Sequence, residues 1–83
     1  MLEQLNTCSK VVGIKQLRRA LKEGKIATVF AARNADPRLT DPLEAECGEF
    51  GAELIWVSTM DELGKACGIS VGASAAGILA QAE

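Results

Sequence analysis

The sequence predicts an α/β protein, a three-layer α/β/α sandwich on a mixed sheet of about four strands, and three observations carry that prediction. Residues 26–32 and 54–57 are apolar runs of strand length with no polar face, the pattern of strands covered on both sides. Helical-period segments with N-terminal capping residues and closing glycines lie between and after them. Strand and helix therefore alternate, which puts helices on both faces of the sheet.

In chain order, residues 2–8 suit a short amphipathic turn, with Leu2 and Leu5 at i, i+3 ahead of Ser9. Lys10-Val-Val12 is a short strand running into Gly13. Residues 13–24 then form a two-faced helix: Ile14, Leu17 and Leu21 make one stripe, and Lys15, Arg18, Arg19 and Lys22 the other. Gly13 brings no side chain to obstruct an approach to the helix N-terminus. Gly24 suits the left-handed C′ position, and Lys22 and Lys25 sit at the negative end of the dipole. A charge run at helical spacing is ordinarily just a solvated face, so the basic stripe gains meaning only from the rest of the chain.

After the strand at 26–32, residues 33–38 form a polar connection with turn chemistry in Asn34, Asp36 and Pro37. Asp41, Pro42 and Glu44 read as N-cap, N1 and N3 of the next helix, with Leu43, Cys47 and Phe50 on its buried stripe and Glu46 and Glu49 facing outward. Gly51 closes it. After the strand at 54–57, Thr59 and Glu62 repeat the capping-box spacing for a short helix carrying Leu63, Ala66 and Cys67 and ended by Gly68. Ile69-Ser-Val-Gly72 is a loop with outward β-branched residues. In residues 73–80 the signals conflict: alanine content favours helix, whereas Gly77 and the missing polar face favour a buried strand of small residues. The strand reading is adopted.

Eighty-three residues suit one domain spanning 1–83. No apolar run approaches the roughly 20 residues of a bilayer span, and no basic-then-apolar leader opens the chain, so a cytoplasmic protein is expected. Cys8, Cys47 and Cys67 are far apart in a chain without histidine, which argues against a disulfide framework or a conventional zinc site and leaves free thiols acting as small hydrophobes, with a reactive thiol at Cys67 as the lesser alternative. Scattered Asp, Glu and Cys, with no histidine to act as a base, also argue against an enzyme. The net charge of −2 hides an asymmetry: residues 10–38 carry eight cations against Glu23 and Asp36, a net +6, whereas residues 39–83 set Lys65 against eight acids, a net −7. Charge confined to one stretch can build a basic patch on an acidic protein.

Three segments together resemble the L-seven-Ae superfamily of ribosomal and kink-turn RNA-binding proteins. They are Gly13-Ile-Lys-Gln-Leu-Arg-Arg19, the apolar strand ending before Asp36-Pro37, and Glu62-Leu-Gly-Lys-Ala-Cys-Gly68 with Ile69-Ser-Val71. The short length and the Lys-Gln pair make the chain most similar to the bacterial YbxF-type members. The resemblance implies binding to a kinked RNA in which tandem sheared G·A pairs follow a short bulge, whether in a ribosomal RNA, a riboswitch or another transcript. It implies no catalysis, no cofactor and a monomer. In the family pattern Gly-x-Asn-Glu-x-x-Lys, Gly13 matches the glycine, Lys15 the asparagine, Gln16 the glutamate and Arg19 the lysine. Ile69, Ser70 and Val71 match the apolar recognition loop, with Ser70 where an acidic residue is common.

The side-chain chemistry suits that role. Lysine donates to guanine O6 and N7, and glutamine offers a donor and an acceptor to base edges. A regular A-form major groove is too deep and narrow to admit the helix, and a kink opens it. Arg18, Arg19 and Lys22 can neutralise phosphate, while Ile69 and Val71 offer apolar surface to an unstacked nucleotide. The rival reading is a protein-interaction scaffold without specific RNA binding, whose acidic half would face its partner.

Overall fold

Seven elements span the described residues, 10–69 and 72–80 of a computed structural model: β1 (Lys10–Val12), α1 (Ile14–Lys22), β2 (Ile26–Ala32), α2 (Pro37–Phe50), β3 (Glu53–Val57), α3 (Met60–Cys67) and β4 (Ala75–Leu79). The expected turn at residues 2–8, Cys8, Ser70 and Val71 lie outside the described residues. The strands form one mixed sheet in the order β1-β4-β2-β3. β2 and β3 are parallel, and β4 runs antiparallel to β1 and to β2. It follows that β1, β2 and β3 point the same way and end on one rim, where β4 begins.

The helices cover both faces of this sheet. Leu17, Ala20 and Leu21 of α1 and Leu43 and Cys47 of α2 pack with Ile26, Val29 and Ala75 on one side. Leu63 and Cys67 of α3 pack with Phe30, Val57, Ala76 and Ile78 on the other. Val29 and Phe30 are adjacent in β2, face opposite layers and are fully buried, which is why this strand shows no polar alternation.

The ambiguous segment around Gly77 is a strand between two others, and its small side chains have a packing reason. A Cβ on Gly77 would lie 2.5 Å from Leu17 Cδ1, so α1 sits directly on the β4 backbone there. The alanines of β4 reflect close helix approach, not helix propensity.

Three expectations about α2 are corrected. The helix begins a turn and a half earlier than the Asp41, Pro42, Glu44 signal predicts: Asp36 is the N-cap, its carboxylate accepts from the Arg38 backbone N–H at 2.9 Å, and Pro37 takes N1. Two Asp-Pro pairs compete, and starting at the first makes Thr40 as well as Leu43 a buried position of the helix. Pro42 is then internal and forfeits one helical hydrogen bond. Phe50, expected on the buried stripe, is 39% exposed at the last helical position. Glu46, expected to face outward, is buried to 9% exposure because α1 packs beside it.

The Cys47 and Cys67 thiols are buried and free, and burial is the main cause pushing both pKa values up, so they stay neutral and poorly nucleophilic. Among the described residues, no helix is long and apolar enough to cross a membrane.

Candidate nucleic-acid interface

The rim on which β1, β2 and β3 end is stitched together by backbone hydrogen bonds. Gly13 N–H donates to Ala75 O at 3.1 Å, Ala32 N–H to Ser74 O at 2.9 Å and Arg33 N–H to Val57 O at 2.8 Å. α1 starts on this rim. Its N-cap, Gly13, has φ 107°, a conformation that L side chains rarely adopt. No side chain caps the helix and its first turn holds no acid, so the positive end of the dipole is uncompensated. A Cβ on residue 13 would lie 2.9 Å from Gln16 Oε1; the glycine therefore lets the Gln16 side chain lean back over the helix start.

Around this tip the predicted residues separate into two groups. Lys15, Gln16 and Arg19 are exposed, and neither cation has an ion-pair partner among the described residues. Arg18 and Lys22 turn toward α2 instead. Arg18 donates from Nε and Nη2 to the two carboxylate oxygens of Glu46 at 3.0 and 3.2 Å, and Lys22 Nζ lies 3.9 Å from the same carboxylate. The hydrogen bond and then the charge of Glu46 push the Arg18 pKa up, so the guanidinium stays charged. Ile14, Lys15, Arg18, Arg19 and Lys22 line an open groove along the helix.

The apolar loop is described only at its ends. Ile69 is half-buried against the α3 layer, its N–H donating to Gly64 O at 3.0 Å. The returning chain is pinned where Ala73 N–H donates to Met60 O at 3.0 Å and Asn34 Oδ1 accepts from Met60 N–H at 2.8 Å. Ala75 then takes the hydrogen bond from Gly13, which brings the end of the loop to the start of α1.

Sequence reasoning missed two features of this region. Glu46 is 28 positions from Arg18, and no local pattern reveals their pairing. Arg33 places its guanidinium carbon 5.7 Å from the centroid of the Trp56 ring. Only strand pairing brings those two together.

The family model of ribosomal protein L7Ae/L30e/S12e/Gadd45 matches residues 3–83, and the chain belongs to that family. An RNA-binding protein of Bacillus pumilus (strain SAFR-032) is 41% identical over 71 residues, 86% of this chain and 87% of its own length. RNA-binding protein YbxF of Geobacillus stearothermophilus is 44% identical over 69 residues, 83% of this chain and 84% of its own. The solved Giardia lamblia 15.5kD RNA binding protein shares the fold, with a TM-score of 0.87 at 23% identity, covering 96% of this chain and 71% of that one. Membership in this family makes the chain a non-enzymatic protein, as the sequence reading expected.

Proposed function

We propose that this chain is a cytoplasmic, monomeric, one-domain RNA-binding protein that recognises kink-turn RNA through the N-terminus of α1. Gly13 lets the RNA approach, and Lys15 and Gln16 read guanine edges exposed by sheared G·A pairs. Arg19 neutralises phosphate outright, while Arg18 and Lys22 add the donors that Glu46 leaves free. Ile69, Ser70 and Val71 supply the apolar loop against an unstacked nucleotide. The observation that carries this reading is the uncapped, acid-free α1 tip with Lys15 and Arg19 unpaired beside it among the described residues. The names of the bacterial relatives support the coarser statement that RNA is the partner.

The test is a titration at one fixed salt concentration of the native chain and a Lys15→Ala, Gln16→Ala double variant. Each is measured against a kinked stem-loop and against the same RNA with Watson–Crick pairs replacing its G·A pairs. The native chain is expected to lose several kcal/mol on the straightened RNA, since each good base contact is worth roughly 1–3 kcal/mol and the shape complementarity goes with it. The double variant is expected to lose most of that discrimination and keep the electrostatic remainder. Native binding to both RNAs within about twofold, ~0.4 kcal/mol, would sink kink-turn recognition in favour of a scaffold.

A further inference from the structure

We infer that Arg33 and Trp56 form a second RNA contact, a platform on which one unpaired nucleobase stacks beside the segment held by α1; this rests on the RNA reading of the α1 tip. Arg33 leaves β2 on the same rim as that tip, fixed by its N–H bond to Val57 O at 2.8 Å. Its guanidinium lies over the Trp56 ring at 5.7 Å from the centroid, within cation–π range. Trp56 falls between Ile55 and Val57, which pack in the α3 layer, so it faces the other side of the sheet, the side that carries α1 and α2.

The two residues differ in the way a platform requires. Trp56 is half-buried, whereas Arg33 is exposed and has no carboxylate partner among the described residues. A guanidinium is planar and weakly hydrated, so a base can stack on its outer face while the indole supports its inner face. Holding the arginine over the ring before RNA arrives lowers the entropy lost on binding. No other aromatic residue serves this rim. The chain has no tyrosine and one tryptophan; Phe30 is fully buried, and Phe50 ends α2 at the opposite end of the sheet. From Gly13 to Trp56 the rim crosses β1, β4, β2 and β3, three strand spacings or roughly 14 Å, which a few nucleotides of one strand can span.

The experiment measures affinity of the native chain and of Arg33→Lys, at fixed salt, for the kinked stem-loop and for a set of derivatives each made abasic at one unpaired nucleotide. Lysine keeps the charge and removes the plane. Arg33→Lys is expected to weaken binding of the intact RNA by about tenfold, within the range of base stacking. On one particular abasic derivative both proteins are expected to bind equally, the native chain having lost the same factor there. Trp56 is the sole tryptophan, so its emission should change on binding the intact RNA and change less with that derivative. Equal affinity of Arg33→Lys for the intact RNA, or the same loss on every derivative, would overturn the platform. Binding that needs the G·A pairs but not Arg33 would sink this inference alone. Failure to prefer the kinked RNA over its Watson–Crick counterpart would bring down the α1 reading and this one with it.

Discussion

Arg18 and Arg19 are neighbours on α1, yet they belong to two different regions. Arg18 faces the seam between α1 and α2, where Glu46 engages it through both carboxylate oxygens and also stands near Lys22. Arg19 and Lys15 sit toward the outer side and the tip, with no acid in reach among the described residues. The difference teaches that a cluster of basic residues in a sequence overstates the charge available to a ligand. A single acid from a distant helix takes up much of Arg18 and part of Lys22, leaving the free positive charge concentrated near the uncapped helix start. That acid also ties α1 to α2, so the seam positions the helix and leaves its tip open.

The largest expected effect comes from unseating α1 and disturbing both regions together. Gly77→Ala pushes a methyl group into Leu17, with a cost of about 1–3 kcal/mol of overpacking. Urea unfolding checks it, and RNA affinity is expected to fall as well because the tip moves with the helix. An unchanged midpoint would show that Leu17 yields without moving α1.

Releasing the seam alone should make it resemble the tip. Glu46→Gln frees Arg18 and Lys22, and the dependence of log affinity on log salt is expected to steepen by about 1 to 2, with tighter RNA binding at low salt and lower stability of the free protein. An unaltered slope would mean that the two cations already reach phosphate. Conversely, Arg19→Ala should flatten the slope by about 1 and leave the unfolding midpoint in place, whereas Arg18→Ala should change the slope by less than half as much and lower the midpoint. Equal slopes for the two variants would erase the distinction between the regions.

Protonation offers a finer measure. The hydrogen bond from Arg18 to Glu46, and then the charge of that carboxylate, raise the Arg18 pKa above its already high usual value, so its contribution is present at neutral pH and lost only as pH rises through that raised value. With no histidine in the chain and both buried thiols shifted upward, RNA affinity should be flat from pH 6 to 9. A titration in that window would point to a group outside both regions. The smallest effect belongs to the exposed Asp36–Arg38 pair at 2.7 Å. Hydrogen bonds from the Arg38 side chain, then from its backbone, hold the Asp36 carboxyl below the usual carboxylate range, so its stabilisation is full above that range and lost as pH falls through the depressed value. Asp36→Asn should therefore reduce the loss of stability below pH 4, by less than the Arg18 variant changes stability at pH 7.

Much of this architecture was legible because it is written in short-range patterns. The stripe of Ile14, Leu17 and Leu21, the run from Ile26 to Ala32 and the Thr59 cap, whose hydroxyl accepts from Glu62 N–H at 3.1 Å, each depend on neighbours within a few positions. The start of α2 was misread because Asp36-Pro37 and Asp41-Pro42 carry equivalent local signals. Choosing between them depends on which start buries Thr40 and Leu43 within the folded chain.

By itself, then, the sequence determined the elements, the two-faced character of α1 and the glycines that bound it, since these follow from backbone sterics and side-chain period. Tertiary structure alone decided which cations remain available. Coulombic pairing depends on distance in space, and only the packing of α2 against α1 brings Glu46 within 3.0 Å of Arg18 while leaving Arg19 unpaired among the described residues. The same holds for Arg33 and Trp56, which the parallel pairing of β2 with β3 sets side by side on the rim.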